Sequence, residues 1–278
     1  MQNIDYAPKH WIANLSLGFS GRSDKTILAH REHSGPLVVQ KPFYPEGNVC
    51  HVYILHPPGG IVGGDEIHLS VTIDNQGHAL ITTPAAAKFY RSDGRIAVLN
   101  QRFNIADSSV LEWMPQETIL FSGSMARMKT RVDLENAAKF IGWEIVCAGR
   151  PACGEIFSHG EVQQHFELWR NHEPLVIDRA RFQGGSELLQ AAWGMRGFTT
   201  TATMLATNCN NELLEYVRSN LIVVENSLLS LTLIDDVLIV RALANQAETV
   251  RRHFIAIWQL LRPKLLLKQS SVPRIWAT

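Results

Sequence analysis

The chain has 278 residues, with 26 Lys plus Arg against 26 Asp plus Glu and a formal net charge of zero. That length suits one large domain or two modest ones with a sizeable core. Balanced charge argues against a nucleic-acid partner, which usually brings a basic excess. It favours a protein that works within a complex over a free, highly soluble monomer. No apolar run is long enough to span a membrane, so no membrane association is expected. Met1–Pro8 carries Asp5 and lacks the apolar core of a secretory signal. The four cysteines, Cys50, Cys147, Cys153 and Cys209, show neither a C-x-x-C pair nor a disulfide-framework spacing. A reducing cytoplasm is the expected location.

In chain order, the first two hundred residues read as strands. Val49–Leu55 is apolar and runs into His56–Asp65, H-P-P-G-G-I-V-G-G-D. Proline fixes φ and removes a donor, whereas glycine opens the φ > 0 region, so this is a shaped loop that closes on a carboxylate. Such backbone often holds a ligand or partner, although a plain turn between two strands reads equally well. Glu66–Asp74 then alternates perfectly, with Ile67, Leu69, Val71 and Ile73 on one face. Similar runs cover Arg95–Ile105, Val110–Trp113, Phe140–Cys147, His165–Trp169 and Leu175–Phe182. They are separated by Asn75-Gln76-Gly77, Ser92-Asp93-Gly94, Asp107-Ser108-Ser109 and Asn171–Pro174. Asn171–Pro174 reads as a hairpin connection, as does Asp235-Asp236 between Leu229–Ile234 and Val237–Leu243.

Helices are expected only in the last quarter. A short one starts at Asn210 or Asn211 and turns Leu213, Leu214 and Val217 inward. A longer one is capped by Asn245 with Glu248 behind it, carries Val250, Phe254, Ile257, Trp258 and Leu261 on one stripe, and stops at Pro263. Strands and helices do not alternate and no sequence period repeats, which excludes a doubly wound parallel sheet. The resulting expectation is mainly β: a many-stranded, largely antiparallel or stacked β architecture with a small helical C-terminal part. The whole chain, 1–278, reads as one domain, β-rich over 1–205 and α+β over 206–278.

Most familiar chemistry is absent. The glycine loop lacks G-x-G-x-x-G spacing and a P-loop Lys-Ser/Thr, and a strand rather than a helix follows it, so it is no phosphate cradle. Gly18-Phe19-Ser20-Gly21 falls one residue short of a nucleophile elbow. Eleven histidines are scattered. His30 and His33 share a strand-like segment, and His51, His56, His68 and His78 read as solvent-face or hydrogen-bonded positions rather than fixed zinc ligands. A loose, exchangeable metal site built from carboxylates remains open, with Asp65, Glu112, Glu144, Glu155 and Asp178 as its candidates. Glu144 and Asp178 sit beside apolar neighbours and need partners. Arg150 and Arg179 are near in sequence, so structural ion pairs are the competing reading.

Five segments together are more specific. H-P-P-G-G-I-V-G-G-D at 56–65, T-P-A-A-A-K-F-Y-R-S at 83–92, L-E-W-M-P-Q-E-T-I-L-F at 111–121, W-E-I-V-C-A-G-R-P-A-C-G-E at 143–155 and the terminal L-R-P … P-R-I-W-A-T resemble the urease accessory protein UreD (UreH) family. The resemblance implies a β-rich, β-helix-like fold with helices towards the C-terminus, and a protein that is not an enzyme. It implies a chaperone-like scaffold that binds urease apoprotein and recruits UreF and, through it, the GTPase UreG for nickel insertion. An internal tunnel would conduct nickel, with no tightly bound cofactor and only transient nickel. Carried over by motif, Asp65, Glu144 and Asp178 are the metal or tunnel carboxylates. Oxygen ligands hold a first-row divalent ion loosely enough to release it. His56, Pro57, Pro58, Gly59, Gly60, Gly63 and Gly64 form the motif loop. Lys88, Tyr90 and Arg91 form a contact or folding signature. Ala85-Ala86-Ala87 departs from the small polar residues common there, so a hydroxyl is missing. Two rival readings stay open: a stand-alone hydrolase or metalloenzyme on a β scaffold, and a pure structural adaptor that never touches nickel.

Overall fold

A computed structural model describes residues 10–277. Met1–Pro8, read above as lacking a signal, lies outside the described residues, as does Thr278 at the end of the last motif. Among the described residues, eighteen strands run in chain order. They are β1 (Ile12–Gly21), β2 (Thr26–Ser34), β3 (Val38–Val39), β4 (Cys50–Leu55), β5 (Glu66–Asp74) and β6 (His78–Thr82). Next come β7 (Ala87–Phe89), β8 (Ala97–Ile105), β9 (Val110–Met114), β10 (Thr118–Leu120), β11 (Met125–Leu134) and β12 (Lys139–Arg150). The last are β13 (Glu155–Ile156), β14 (Glu161–Arg170), β15 (Glu173–Gln183), β16 (Thr200–Ala206), β17 (Ser227–Ile234) and β18 (Val237–Ala244). Helix α1 (Asn211–Asn220) precedes β17, and α2 (Ala247–Leu265) follows β18.

The strands form a seven-stranded sheet, ordered β15-β14-β11-β8-β5-β1-β2, and an eleven-stranded sheet built on β17-β18-β16-β12-β9-β6-β4-β3. The chain steps from one sheet to the other at stacked corners, β5 to β6, β8 to β9 and β11 to β12. Each corner closes with an i to i+3 bond: Gly77 N to Asp74 O, Ser109 N to Ala106 O and Ala138 N to Glu135 O. Left-handed residues turn them, Asn75 and Gln76, Ser108, and Asn136, and asparagine tolerates that region better than most residues. The corners stack through Ala106 N to Ile73 O and Glu135 N to Ile105 O.

This is the expected mainly β, stacked architecture, with one difference in strand direction. The inner ladders β1/β5, β5/β8, β8/β11 and β11/β14 are parallel, as are β4/β6, β6/β9 and β9/β12. Antiparallel pairing is confined to the flanks, including the β14/β15 and β17/β18 hairpins that close at Asn171-His172 and Asp235-Asp236. A coil that returns to the same sheet by way of the other one must lay its strands in parallel, whereas a hairpin cannot. Period-two alternation is the same in both cases.

The eleven-stranded sheet is covered on both faces. One face meets the seven-stranded sheet over a core that includes Phe103, Trp113, Phe140 and Phe166. The other carries α2 over a second core of Trp143, Phe254, Ile257 and Trp258. The short helix α1 begins as expected, with the Asn210 side chain accepting from Leu213 N at 2.9 Å. The longer helix differs at both ends. Its N-cap is Gln246 without a side-chain cap, and Asn245, just after β18, instead accepts at its carbonyl from Thr199 Oγ1. Pro263 lies inside α2, which continues to Leu265. Pro263 gives up its own amide donor to the residue four positions back, one bond of this nineteen-residue helix. No helix among the described residues is long and apolar enough to cross a membrane.

Candidate functional site

The glycine loop and the Thr83–Ser92 segment are one unit. Ile61 N donates to Lys88 O at 2.7 Å, and Tyr90 N donates to Ile61 O at 2.9 Å. Gly60 is required by contact: a Cβ there would lie 1.9 Å from the Tyr90 ring. Gly63 is required likewise, since a Cβ would fall 2.2 Å from Ser92 Oγ. Gly59 and Gly64 instead supply positive φ, which other residues adopt at a cost. Tyr90 packs edge-on against Phe121 with ring centroids 4.7 Å apart. Exposed Arg91 lies beside Gly123.

Asp65 is the clasp of this loop. Its carboxylate accepts from Trp11 N at 2.9 Å and from Val62 N at 3.0 Å, and the side chain is buried. Neither of the two cavities described next includes Asp65 in its wall. His56 stands near enough to feel its charge. Burial lowers the imidazole's proton affinity, and Asp65 partly restores it.

Between the two sheets lies a cavity of about 380 Å³. His56, Pro57, Gly59, Ala85-Ala86-Ala87 and Lys88 line one part, and Leu69, Leu99, Trp113 and Met128 give it an apolar body. A second cavity of about 330 Å³ is lined by Asp178, Arg179, Ala180, Met195, Thr203 and Arg241, among others. Glu144 and Gln164 belong to both walls, and no other described residue does.

Glu144 points from β12 towards the seven-stranded sheet, because its neighbours Trp143 and Ile145 pack under α2. It keeps some accessible surface, and that surface faces the cavities. Thr130 Oγ1 and the Gln164 side-chain amide each donate to one of its oxygens. Burial raises the proton affinity of this carboxyl; the two hydrogen bonds oppose the rise, and the charge of Asp178 adds to it. The expected Arg150 partner is absent, since Arg150 pairs with Glu155. Asp178 pairs with Arg241 at 3.1 Å and accepts from Thr203 Oγ1 at 3.1 Å, not with its sequence neighbour Arg179. The structure therefore gathers Glu144 and Asp178 around the second cavity, brings His56 and Lys88 to the first, and leaves Asp65, Tyr90 and Arg91 outside both.

Glu112, the remaining candidate acid, faces α2. Arg262 Nε donates to both its oxygens at 3.1 and 3.0 Å, Trp258 Nε1 donates at 2.6 Å, and His78 Nε2 lies at 2.6 Å. Burial works against its charge, yet the hydrogen bonds and charge of His78 and Arg262 prevail and hold it down to about 2. Arg262 also reaches Glu46, which His51 meets at 2.6 Å. His51 and His78 are thus hydrogen-bonded, as expected, and His30 and His33 lie exposed on β2.

Sequence reasoning did not find Gln101, Thr130 or Gln164, the neutral residues around Glu144. It also did not find an exposed hydroxyl–imidazole cluster in which His159 Nδ1 sits 2.9 Å from Ser122 Oγ and 3.1 Å from Ser158 Oγ. No carboxylate among the described residues bonds that ring. No group of three or more His, Cys, Asp or Glu among the described residues is placed to hold a metal ion.

Residues 12–277 match the family model described as UreD urease accessory protein. The chain belongs to the UreD family. It is 44% identical over 275 residues to the urease accessory protein UreD of Alcanivorax borkumensis, covering 97% of this chain and 93% of that one. It is 43% identical to the UreD of an Enterobacter species, covering 98% of each, and 41% identical to that of Klebsiella aerogenes, covering 97% and 98%. The Leu111–Phe121 and Trp143–Glu155 segments that carry the resemblance are those that place Glu112 and Glu144 on opposite faces of one sheet.

Proposed function

We propose that this chain is a urease maturation factor: a non-catalytic scaffold that binds urease apoprotein and, with UreF and UreG, supports nickel insertion. Support for the maturation role comes from the near full-length similarity to proteins named urease accessory protein UreD. We further propose that the two cavities form the nickel path. One observation carries this: they meet at a single half-buried carboxylate, Glu144, with Asp178 on the far side. A carboxylate flanked by hydroxyl and amide oxygens is a weak, exchangeable ligand set for a first-row divalent ion. Leu69, Leu99 and Trp113 in the first cavity offer no ligand, so an ion would stay hydrated beside them, with the His56 imidazole on the wall within reach.

Asp65 supports the path indirectly, by fixing the loop that presents His56 and Lys88 to the first cavity. The adaptor reading, without nickel contact, draws on this same structural engagement of Asp65. Co-expression with the urease subunits, UreF and UreG tests the scaffold: the chain is expected to co-purify with them and to raise the nickel content of urease. A chain that purifies alone under those conditions overturns it.

A further inference from the structure

Glu144 extends from β12 in the eleven-stranded sheet, and Gln164 from β14 in the seven-stranded one. Their hydrogen bond spans the gap between the sheets where, among the described residues, the two cavity walls coincide. Thr130, on the neighbouring β11, holds the other oxygen of Glu144 and also lies 2.9 Å from Gln101 Oε1. Both tethers therefore come from one sheet and close on a carboxylate from the other. We propose that Gln164 is the latch of the passage: its amide bars the way between the chambers while bonded to Glu144, and it must swing aside for a divalent cation to cross. This rests on the path reading above.

The chemistry suits a latch opened by its cargo. A glutamine amide presents a donor NH₂ on one side and an acceptor oxygen on the other. The donor side, turned to Glu144 in the closed arrangement, repels a cation. Rotation about the terminal torsion, which is broad for glutamine, replaces it with an oxygen. A cation arriving at Glu144 takes over the carboxylate from the amide and turns the amide's oxygen towards itself. Backbone movement is unnecessary, because Gln164 sits in a regular parallel ladder opposite Met128.

The test uses the reconstituted complex with UreF, UreG and urease apoprotein, and follows the initial rate of nickel incorporation. Gln164→Ala removes the bar and is expected to raise that rate by roughly threefold or more. Thr130→Val, which keeps the volume but frees one Glu144 oxygen, should raise it less. Ala180→Trp, which fills the second cavity, serves as the control. If Ala180→Trp stops transfer while Gln164→Ala leaves the rate unchanged or lower in an assembled complex, the latch is wrong and the path stands. If Ala180→Trp transfers nickel at the parental rate, the path fails and the latch with it. A readout on the unaltered chain covers a variant that does not fold. The Gln164 side-chain amide protons should be protected from exchange and lose that protection when nickel is added. Amide protons that exchange freely, or that ignore nickel, overturn the latch.

Discussion

Glu112 and Glu144 occupy adjacent strands of one sheet, both removed from bulk water, and are treated in opposite ways. Glu112 faces α2 and is saturated: an arginine, a histidine and a tryptophan meet it, and burial fails to raise its pKa. Glu144 faces the other sheet, has only neutral partners beside open space, and is pushed upward by burial. A buried carboxylate that is fully paired locks structure, because breaking the pair strands a charge. One left with neutral donors and a cavity keeps the capacity to accept a proton or a cation. Similar sequence surroundings, a carboxylate beside a tryptophan in a strand, thus yield a clamp on one face and a cavity-facing carboxylate, the proposed site, on the other.

The largest expected effect breaks the clamp. Arg262→Met leaves Glu112 and Glu46 without their shared cation and should destabilise the chain by on the order of 3–5 kcal/mol in chemical denaturation. A loss no larger than that of a surface substitution would remove the clamp from the comparison. Asp65→Ala comes next: two backbone amides lose their acceptor, for about 2 kcal/mol, while Asp65→Asn keeps an acceptor oxygen and should lose less. Equal losses for the two variants would point to charge rather than to hydrogen bonding.

Stability against pH sharpens the contrast further. Glu112 is held down to about 2 in the fold, against roughly 4.3 unfolded. Its stabilisation is complete above the unfolded value and disappears as pH falls towards the folded one. Acid titration of the parent should therefore lose stability across that window, and Glu112→Gln should flatten the loss. Glu144 has the opposite sign. Its raised folded pKa favours the fold while the group is protonated, below its unfolded value, and that benefit is lost as pH rises through the folded value. The smallest effect follows: Glu144→Gln should match the parent at acid pH and exceed its stability at alkaline pH. A variant weaker than the parent at alkaline pH would mean that Glu144 is held as a needed carboxylate.

Much of this frame was legible in the chain. The alternation of Glu66–Asp74 delimits β5, and the Asn171 and Asp235 turns mark two hairpins correctly. Strand β11 was not visible because its inward residues include Ala126 and Thr130, too small or polar to show an apolar period, between outward Arg127, Lys129 and Arg131. Strand direction was not visible either, since parallel and antiparallel strands alternate alike. Nor was the coil repeat, because Ile67, Leu99, Met128 and Gln164 take equivalent places at unequal spacing along the chain. At the site, Glu144 and Asp178 stood out as acids among apolar neighbours. Their partners did not: Arg241 and Thr203 come from other strands, and neutral glutamines carry no signal of spacing. The Glu112–Arg262 pair joins residues 150 positions apart, beyond any local pattern.

The contrast between clamp and site rests finally on whether nickel crosses the face that Glu144 occupies. The direct measurement is the nickel content of urease matured with Ala180→Trp in the complete accessory complex, with UreF and urease co-purification checked alongside. Assembly should be unchanged while nickel falls to the level seen without this chain. Urease loaded to the parental level by an assembled Ala180→Trp complex would contradict the passage.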